Sequence, residues 1–117
     1  MNNENIFPKR GEIWLTGFDP SVGTEIRKTR PALILSNNIA NQKTTKVNVV
    51  PLTSNIKNIG RVVIVEPDEK NNLKVPSLIR VPDITSFDKS RLKVKMGELS
   101  MEKLKEVEEK LKLHLGL

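Results

Sequence analysis

The chain has 117 residues, of which 37% are hydrophobic and 29% charged, a composition that fits one globular domain. The absence of cysteine excludes a disulfide framework, a thiolate zinc site and a thiol nucleophile, and a single histidine excludes a pair of catalytic imidazoles. The net charge of +6 is expected for a protein that binds a polyanion such as nucleic acid, although a solvated basic surface gives the same value.

The N-terminus lacks the apolar run of a signal peptide, and no segment approaches the ~20 apolar residues that a membrane span requires. We therefore predict a cytoplasmic protein with no membrane partner. Residues 1–8 are polar and include Pro8, so we expect a flexible N-terminal segment followed by a single domain over residues 9–117.

Apolar, β-branched composition predicts strands over residues 12–16, 32–35, 46–52, 61–65 and 77–81. A turn is predicted at 58–60, and residues 83–87 are interpreted as a continuation of the last strand past Pro82. Pro51 cannot donate to a strand ladder, so we expect an edge or a bulge there. Short strands with turn signals favour a small, partly open β-barrel.

The C-terminal segment has a different periodicity. Ser100 is a good N-cap, and Leu104, Val107, Leu111 and Leu115 recur at helical spacing. This pattern predicts an amphipathic helix over about residues 100–115 that packs on the barrel.

The loop between the first two strands carries a cluster of charge. Arg27 and Lys28 are typical of phosphate contacts. Arg30 precedes Pro31, which favours an extended backbone and a guanidinium that either points into a concave site or lies along the surface. Thr53 and Ser54 follow the third strand, where hydroxyls bind a phosphate or form an ordinary turn.

Four segments resemble the MazF/PemK toxins of bacterial toxin–antitoxin modules: KRGEIW at 9–14, DPSVGTE at 19–25, RPALILSN at 30–37 and VPLTS at 50–54. The resemblance implies a mainly β fold, an SH3-like barrel of five to seven strands with a C-terminal helix, assembled as a homodimer. It implies metal-independent, sequence-selective cleavage of single-stranded RNA, mostly mRNA, with no cofactor. The implied partner is an antitoxin whose acidic, disordered tail covers the RNA groove.

The same resemblance assigns site residues. The family's catalytic arginine and threonine match Arg30 and Thr53, and the glutamate of its first loop matches Glu25. Where the family often has glutamine and then a basic residue, this chain has Asp83 and Thr85, which removes a positive contact and predicts an altered RNA preference or a weaker activity. The expected RNA-binding residues are Thr24, Arg27, Lys28, Thr29, Ser54, Asp83 and Thr85.

This mechanism needs no external nucleophile, because the ribose 2′-hydroxyl attacks the neighbouring phosphate and leaves 2′,3′-cyclic phosphate and 5′-hydroxyl ends. Arginine is effectively always protonated, so we hypothesise that Arg30 stabilises charge and that Glu25 accepts the proton.

Two alternatives stay open at this point: a CcdB-like topoisomerase poison, and a nucleic-acid-binding barrel without catalysis. His114 is interpreted as a helix-surface or packing residue. The alternating cations Lys89, Arg91, Lys93 and Lys95 fit either a binding surface for RNA or an acidic antitoxin tail, or a solvated edge that discourages strand pairing.

Overall fold

The computed structural model describes residues 6–18, 29–55 and 62–117. The predicted turn at 58–60 and most of the predicted N-terminal segment lie outside these ranges. Within them, no helix is long and apolar enough to cross a membrane. The regular elements in chain order are β1 (Glu12–Gly17), β2 (Thr29–Ile34), α1 (Asn38–Lys43), β3 (Lys46–Thr53), β4 (Val62–Val65), β5 (Ser77–Arg80), β6 (Thr85–Asp88), β7 (Leu92–Glu98) and α2 (Met101–Leu115).

All seven strands belong to one antiparallel sheet with the order β4-β5-β3-β2-β1-β7, and β6 pairs with β3. The fold is mainly β with a C-terminal helix, as the sequence predicts. The five predicted strands correspond to β1 to β5.

The strand β3 is central, and this position corrects the expectation for Pro51. On one side, β3 pairs with β2, including Pro51 with Ala32. On the other side, β6 pairs as far as Val49 and β5 begins at Leu52. Pro51 therefore lies where β3 changes partners, a position without a continuous ladder and not an edge of the sheet.

Residues 83–87 do not continue the fifth strand. The chain turns in a 3-10 helix over Val81–Asp83, with Pro82 near its start, and then forms β6. Proline fixes φ and has no N–H to donate, so it ends the ladder of β5. As a result β6 pairs with the first half of β3, where Phe87 lies opposite Val47.

Two elements were missed in the sequence. The helix α1 is short, and its N-cap Asn37 accepts a hydrogen bond from the Ala40 amide at 2.8 Å. The strand β7 alternates lysine with apolar residues and lies at the edge of the sheet. Neither has the apolar run by which the other elements were predicted.

The helix α2 begins and ends as predicted. The Ser100 hydroxyl accepts a hydrogen bond from the Lys103 amide at 3.2 Å, and Gly116 ends the helix in the left-handed region with φ of 76°. His114 is exposed in its last turn. Leu104 and Val107 are buried against the sheet.

Buried residues form two clusters on opposite faces of the sheet. The inner core lies under α2, and its buried members are Ile13, Leu33, Leu35, Val50, Leu52, Val63, Val65, Leu73, Ile79, Val81, Leu99, Leu104 and Val107. The outer layer consists of buried Ala32, Ile34, Val47 and Val49, against which partly buried Trp14, Phe18, Phe87 and Leu92 pack. Adjacent residues of β2 therefore pack in different clusters, because successive side chains of a strand point to opposite faces of the sheet.

The loop 66–73 connects the two ends of the sheet, because it leaves β4 and crosses β7. The Glu98 amide donates to the Lys70 carbonyl at 2.9 Å, and the Asn72 side chain donates to the Met96 carbonyl at 2.7 Å. A Cβ added at Gly97 would lie 2.3 Å from the Lys70 oxygen. Glycine is thus required for this loop–β7 contact.

Candidate active site

Arg30 lies near the start of β2, close to the point where β2 and β3 separate. In β1, Thr16 pairs directly with Arg30. The β2–β3 ladder ends at the pair Ala32–Pro51, and Thr53 pairs with Leu78 of β5. Residues opposite each other in an antiparallel pair share a face, with Cβ atoms about 4.5–5.5 Å apart. Thr16 and Arg30 therefore share a face of the sheet, and Thr53, at the end of β3, lines the same groove as Arg30.

Thr53 ends β3, and its hydroxyl is part of the turn that follows. The Oγ1 atom accepts a hydrogen bond from the Asn55 amide at 3.1 Å. A hydroxyl that accepts one bond keeps its own O–H free to donate. Thr53 is partly buried, whereas the neighbouring Ser54 is exposed.

A groove of about 660 Å³ lies at the ends of β2 and β3. It is lined by the polar residues Thr29, Arg30, Thr53, Ser54, Lys74 and Ser77 and by the apolar residues Leu15, Pro31, Leu52, Leu73, Val75 and Met96. Four of the predicted site residues thus meet in one groove. Lys74 was missed, although a cation at the end of a polar loop was a usable signal.

Among the described residues, Arg30 lies near an aromatic ring and has no carboxylate partner. Its guanidinium carbon lies 5.9 Å from the centre of the Phe18 ring. A planar guanidinium is well shaped to bind two phosphate oxygens.

Two predicted RNA-binding residues lie elsewhere. Asp83 is in the 3-10 turn after β5, where its carboxylate accepts a bond from Arg80 Nε at 2.7 Å. Thr85 pairs with Val49, which is four residues from Thr53 along β3, or about 13 Å. Neither residue lines the groove. The predicted residues Thr24, Glu25, Arg27 and Lys28 lie outside the described ranges.

The basic residues of β7 and the turn before it have several different partners. Lys95 Nζ lies 3.2 Å from the Glu12 carboxylate and 3.3 Å from that of Glu98. These carboxylates raise the pKa of Lys95. Arg91 lies over the Phe87 ring at 4.6 Å. The run predicted from alternating cations is therefore partly neutralised at Lys95.

Glu12 is a buried carboxylate beside the outer layer. Burial raises its pKa, but hydrogen bonds from the Lys9 amide, the Trp14 indole and Lys95 outweigh burial and hold the pKa below its ordinary 4.5. The Lys9 and Trp14 bonds are both 2.9 Å long. Glu12 does not line the groove, so it stabilises the fold there as an ionised group.

Sequence and structure comparisons agree on the family. The family model described as PemK-like, MazF-like toxin of type II toxin–antitoxin system matches residues 9–115. The chain belongs to this toxin family. Endoribonuclease MazF9 of Mycobacterium tuberculosis is a PemK/MazF relative 35% identical over 114 residues, covering 93% of this chain and 97% of that protein.

Solved PemK/MazF structures have the same fold. A MazE–MazF structure from Deinococcus radiodurans matches with a TM-score of 0.81 and 29% identity, over 94% of this chain and 96% of that one. A mycobacterial endoribonuclease in complex with its cognate antitoxin matches with a TM-score of 0.76 and 27% identity, over 94% and 96%.

Proposed function

We propose that this toxin is an endoribonuclease that cleaves single-stranded RNA, most often mRNA, in a metal-independent and sequence-selective reaction. The observation that carries the proposal is that Arg30 and Thr53 line one groove. The family match and the endoribonuclease relative favour RNA cleavage over the topoisomerase poison and the binding-only barrel.

In the proposed reaction, the ribose 2′-oxygen forms a bond to the adjacent phosphorus, and the bond from phosphorus to the 5′-oxygen breaks. The products are a 2′,3′-cyclic phosphate and a 5′-hydroxyl. Negative charge grows on the non-bridging phosphate oxygens, where the Arg30 guanidinium and the Thr53 hydroxyl donate hydrogen bonds. DNA is excluded as a substrate because it has no 2′-hydroxyl.

The attacking hydroxyl must lose a proton, and Arg30 cannot accept it because its guanidinium stays protonated. We propose Glu25 as the base. Thr24, Arg27, Lys28, Thr29 and Ser54 are proposed as RNA contacts. Lys74 joins them as a cation on the groove wall.

We also propose the assembly and setting of the toxin. Residues 9–117 form its single domain, two copies form a homodimer, and an antitoxin with an acidic tail covers the groove. The net charge of +6 supports an acidic partner, as does the antitoxin complex of the mycobacterial relative. The cytoplasm is the proposed compartment. Light scattering after gel filtration tests the homodimer directly.

The deciding experiment incubates the purified protein with a long, unstructured RNA in excess EDTA and maps the fragment ends. We expect discrete cuts with 5′-hydroxyl ends, and loss of these cuts in Arg30→Ala. Lys103→Ala is the matched control, because Lys103 is a cation on α2 that pairs with Glu106 at 3.2 Å, away from the groove.

A second substrate tests the chemistry. An RNA with one 2′-deoxy nucleotide at a mapped cut should resist cleavage there and be cut normally elsewhere. Cleavage at the deoxy position would refute 2′-hydroxyl attack. Absence of cleavage across several RNAs would refute the proposal that the protein is an endoribonuclease.

A further inference from the structure

Arg30 is the groove residue at one end of a stack of four side chains on the outer face of the sheet. The Phe18 and Phe87 rings, here called the aromatic pair, lie 5.0 Å apart at 64° in an edge-to-face arrangement. Arg30 lies against Phe18 at 5.9 Å, and Arg91 lies over Phe87 at 4.6 Å. Two guanidinium groups therefore bracket two rings.

The stack joins segments that are distant in the chain. Phe18 follows β1, Arg30 belongs to β2, Phe87 to β6, and Arg91 to the 3-10 turn Lys89–Arg91. Arg91 also donates from Nη1 to the Gly17 carbonyl at 3.2 Å. It thus fixes the backbone directly before Phe18 while its flat face covers Phe87.

The turn that carries Arg91 is itself fixed. The Asp88 side chain caps it by accepting a hydrogen bond from the Ser90 amide at 2.9 Å. That bond, with Ser90's side chain and the nearby cations Lys46 and Arg91, holds the pKa of Asp88 below its ordinary value of 3.8. The carboxylate is ionised at neutral pH, so the cap is in place under working conditions.

An aromatic ring holds a guanidinium differently from a carboxylate. A carboxylate would bind the N–H groups of Arg30 and compete with a phosphate for them. A ring attracts the cation through its π-face within ~6 Å. The N–H donors at the edge of the guanidinium stay free for the substrate.

We propose that Phe18 and Phe87, held in place by Arg91, are positioning residues that orient the Arg30 guanidinium for the reacting phosphate. This inference rests on the proposed function of Arg30. It explains why the outer layer, and not the inner core, contains the rings. It also gives Arg91 a role within the fold, beyond that of an exposed cation.

The test compares Phe18→Leu, Phe18→Tyr and Phe87→Leu with wild type in single-turnover cleavage of a short RNA that contains one mapped site. Binding is measured with the same RNA carrying a 2′-deoxy nucleotide at the cut. Trp14→Leu is the matched control, since Trp14 belongs to the same layer but bonds to Glu12 and not to the stack.

Both leucine variants should cleave about 10- to 100-fold more slowly, because small errors in orientation reduce rates by such factors. Their affinity for the deoxy RNA should stay within about threefold of wild type, which separates positioning from binding. Phe18→Tyr keeps the ring face, so it should retain most of the rate. Trp14→Leu should keep the wild-type rate at a temperature where it is folded.

An NMR measurement tests the contact without RNA. The ring current of Phe18 should shift the Arg30 Nε–H resonance, and Phe18→Leu should remove that shift. If Phe18→Leu does not fold, the same Arg30 resonance is measured in Phe87→Leu.

Three results would overturn the inference. The first is a wild-type cleavage rate in the leucine variants, and the second is weaker RNA binding with an unchanged cleavage rate. The third is an Arg30 Nε–H chemical shift that is the same in wild type and in Phe18→Leu. Failure of wild type to cleave any RNA would instead defeat the proposed function.

Discussion

On one face of the sheet, the inner core contains only aliphatic residues in its buried part, and α2 covers it. On the other face, the outer layer places Trp14, Phe18 and Phe87 in partly exposed positions over a few buried aliphatic residues. Charged groups contact this second face, as Lys95 does at Glu12 and Arg91 at Phe87. The inner core stabilises the fold through burial, whereas the outer layer holds charged side chains at its surface.

The largest expected effect comes from a substitution in the inner core. Ile79 is fully buried, and Ile79→Ala should lower the free energy of unfolding by about 2–5 kcal/mol through lost burial and a cavity. Urea denaturation measures this change. Ile64→Ala is the matched control on the same hairpin, because Ile64 is 54% exposed and should change stability by less than about 0.5 kcal/mol. Equal losses in both variants would contradict the assignment of the core.

The second prediction alters the outer face without disturbing the inner core. Thr53→Val removes the hydroxyl with little change of volume, so RNA cleavage should fall about 10²–10³-fold if that hydroxyl donates to the transition state. The free energy of unfolding should fall by about 0.5–1.5 kcal/mol at most, since one hydrogen bond from the Asn55 amide is lost. Single-turnover cleavage and urea denaturation measure the two effects. Thr45→Val, at an exposed threonine before β3, is the control for rate.

A third substitution tests the loop–β7 contact. Gly97→Ala would place a methyl group 2.3 Å from the Lys70 oxygen and 2.8 Å from the Asn71 backbone. The backbone must shift, and we expect the free energy of unfolding to fall by about 1–3 kcal/mol. Thermal or urea denaturation measures this change. A Cβ at Gly17 would lie 3.6 Å from the nearest atom, an ordinary contact. If Gly17→Ala destabilises as much as Gly97→Ala, crowding is not the cause.

The smallest effect is a pH dependence that belongs to the outer layer. The pKa of Glu12 is below 4.5 in the folded state, so the unfolded chain binds more protons as the medium becomes acidic. The stabilisation from Glu12 is fully present above pH 4.5 and is lost as pH falls through the folded pKa.

Melting temperatures of wild type and Glu12→Gln between about pH 3 and pH 7 measure this contribution. The two curves should converge at acid pH, because the variant lacks the titrating group. Parallel curves would assign the acid sensitivity to other carboxylates. Glu98→Gln is the control, since Glu98 shares Lys95 but is exposed.

The sequence predicts the fold where burial imposes a period. Strands β1 to β5 and α2 have the apolar spacing of one or two buried faces, and the Ser100 cap marks the start of the helix. The strand β7 has no such pattern, because it is an edge strand whose lysines face solvent or carboxylates. The helix α1 depends on the Asn37 cap and is too short to show a helical period.

The site is predictable in part for a related reason. The resemblance selects Arg30 and Thr53, and the two residues line the same groove, at the start of β2 and the end of β3. Lys74 follows the loop 66–73, and although a cation at the end of a polar loop was a usable signal, the contact of this loop with β7 joins segments that are distant in the sequence. Pairing of β6 with β3 depends in the same way on tertiary structure, and the stack on Arg30 depends on that pairing.

The loop–β7 contact also connects the edge of the sheet to one wall of the groove. The loop 66–73 ends at Leu73, and Leu73, Lys74 and Val75 form one wall of the groove. The bond from the Glu98 amide to the Lys70 carbonyl holds the loop that precedes this wall against β7. Hydrogen exchange at the Glu98 amide therefore measures the free energy of opening of this contact, and we expect an RNA bound across both walls of the groove to slow that exchange.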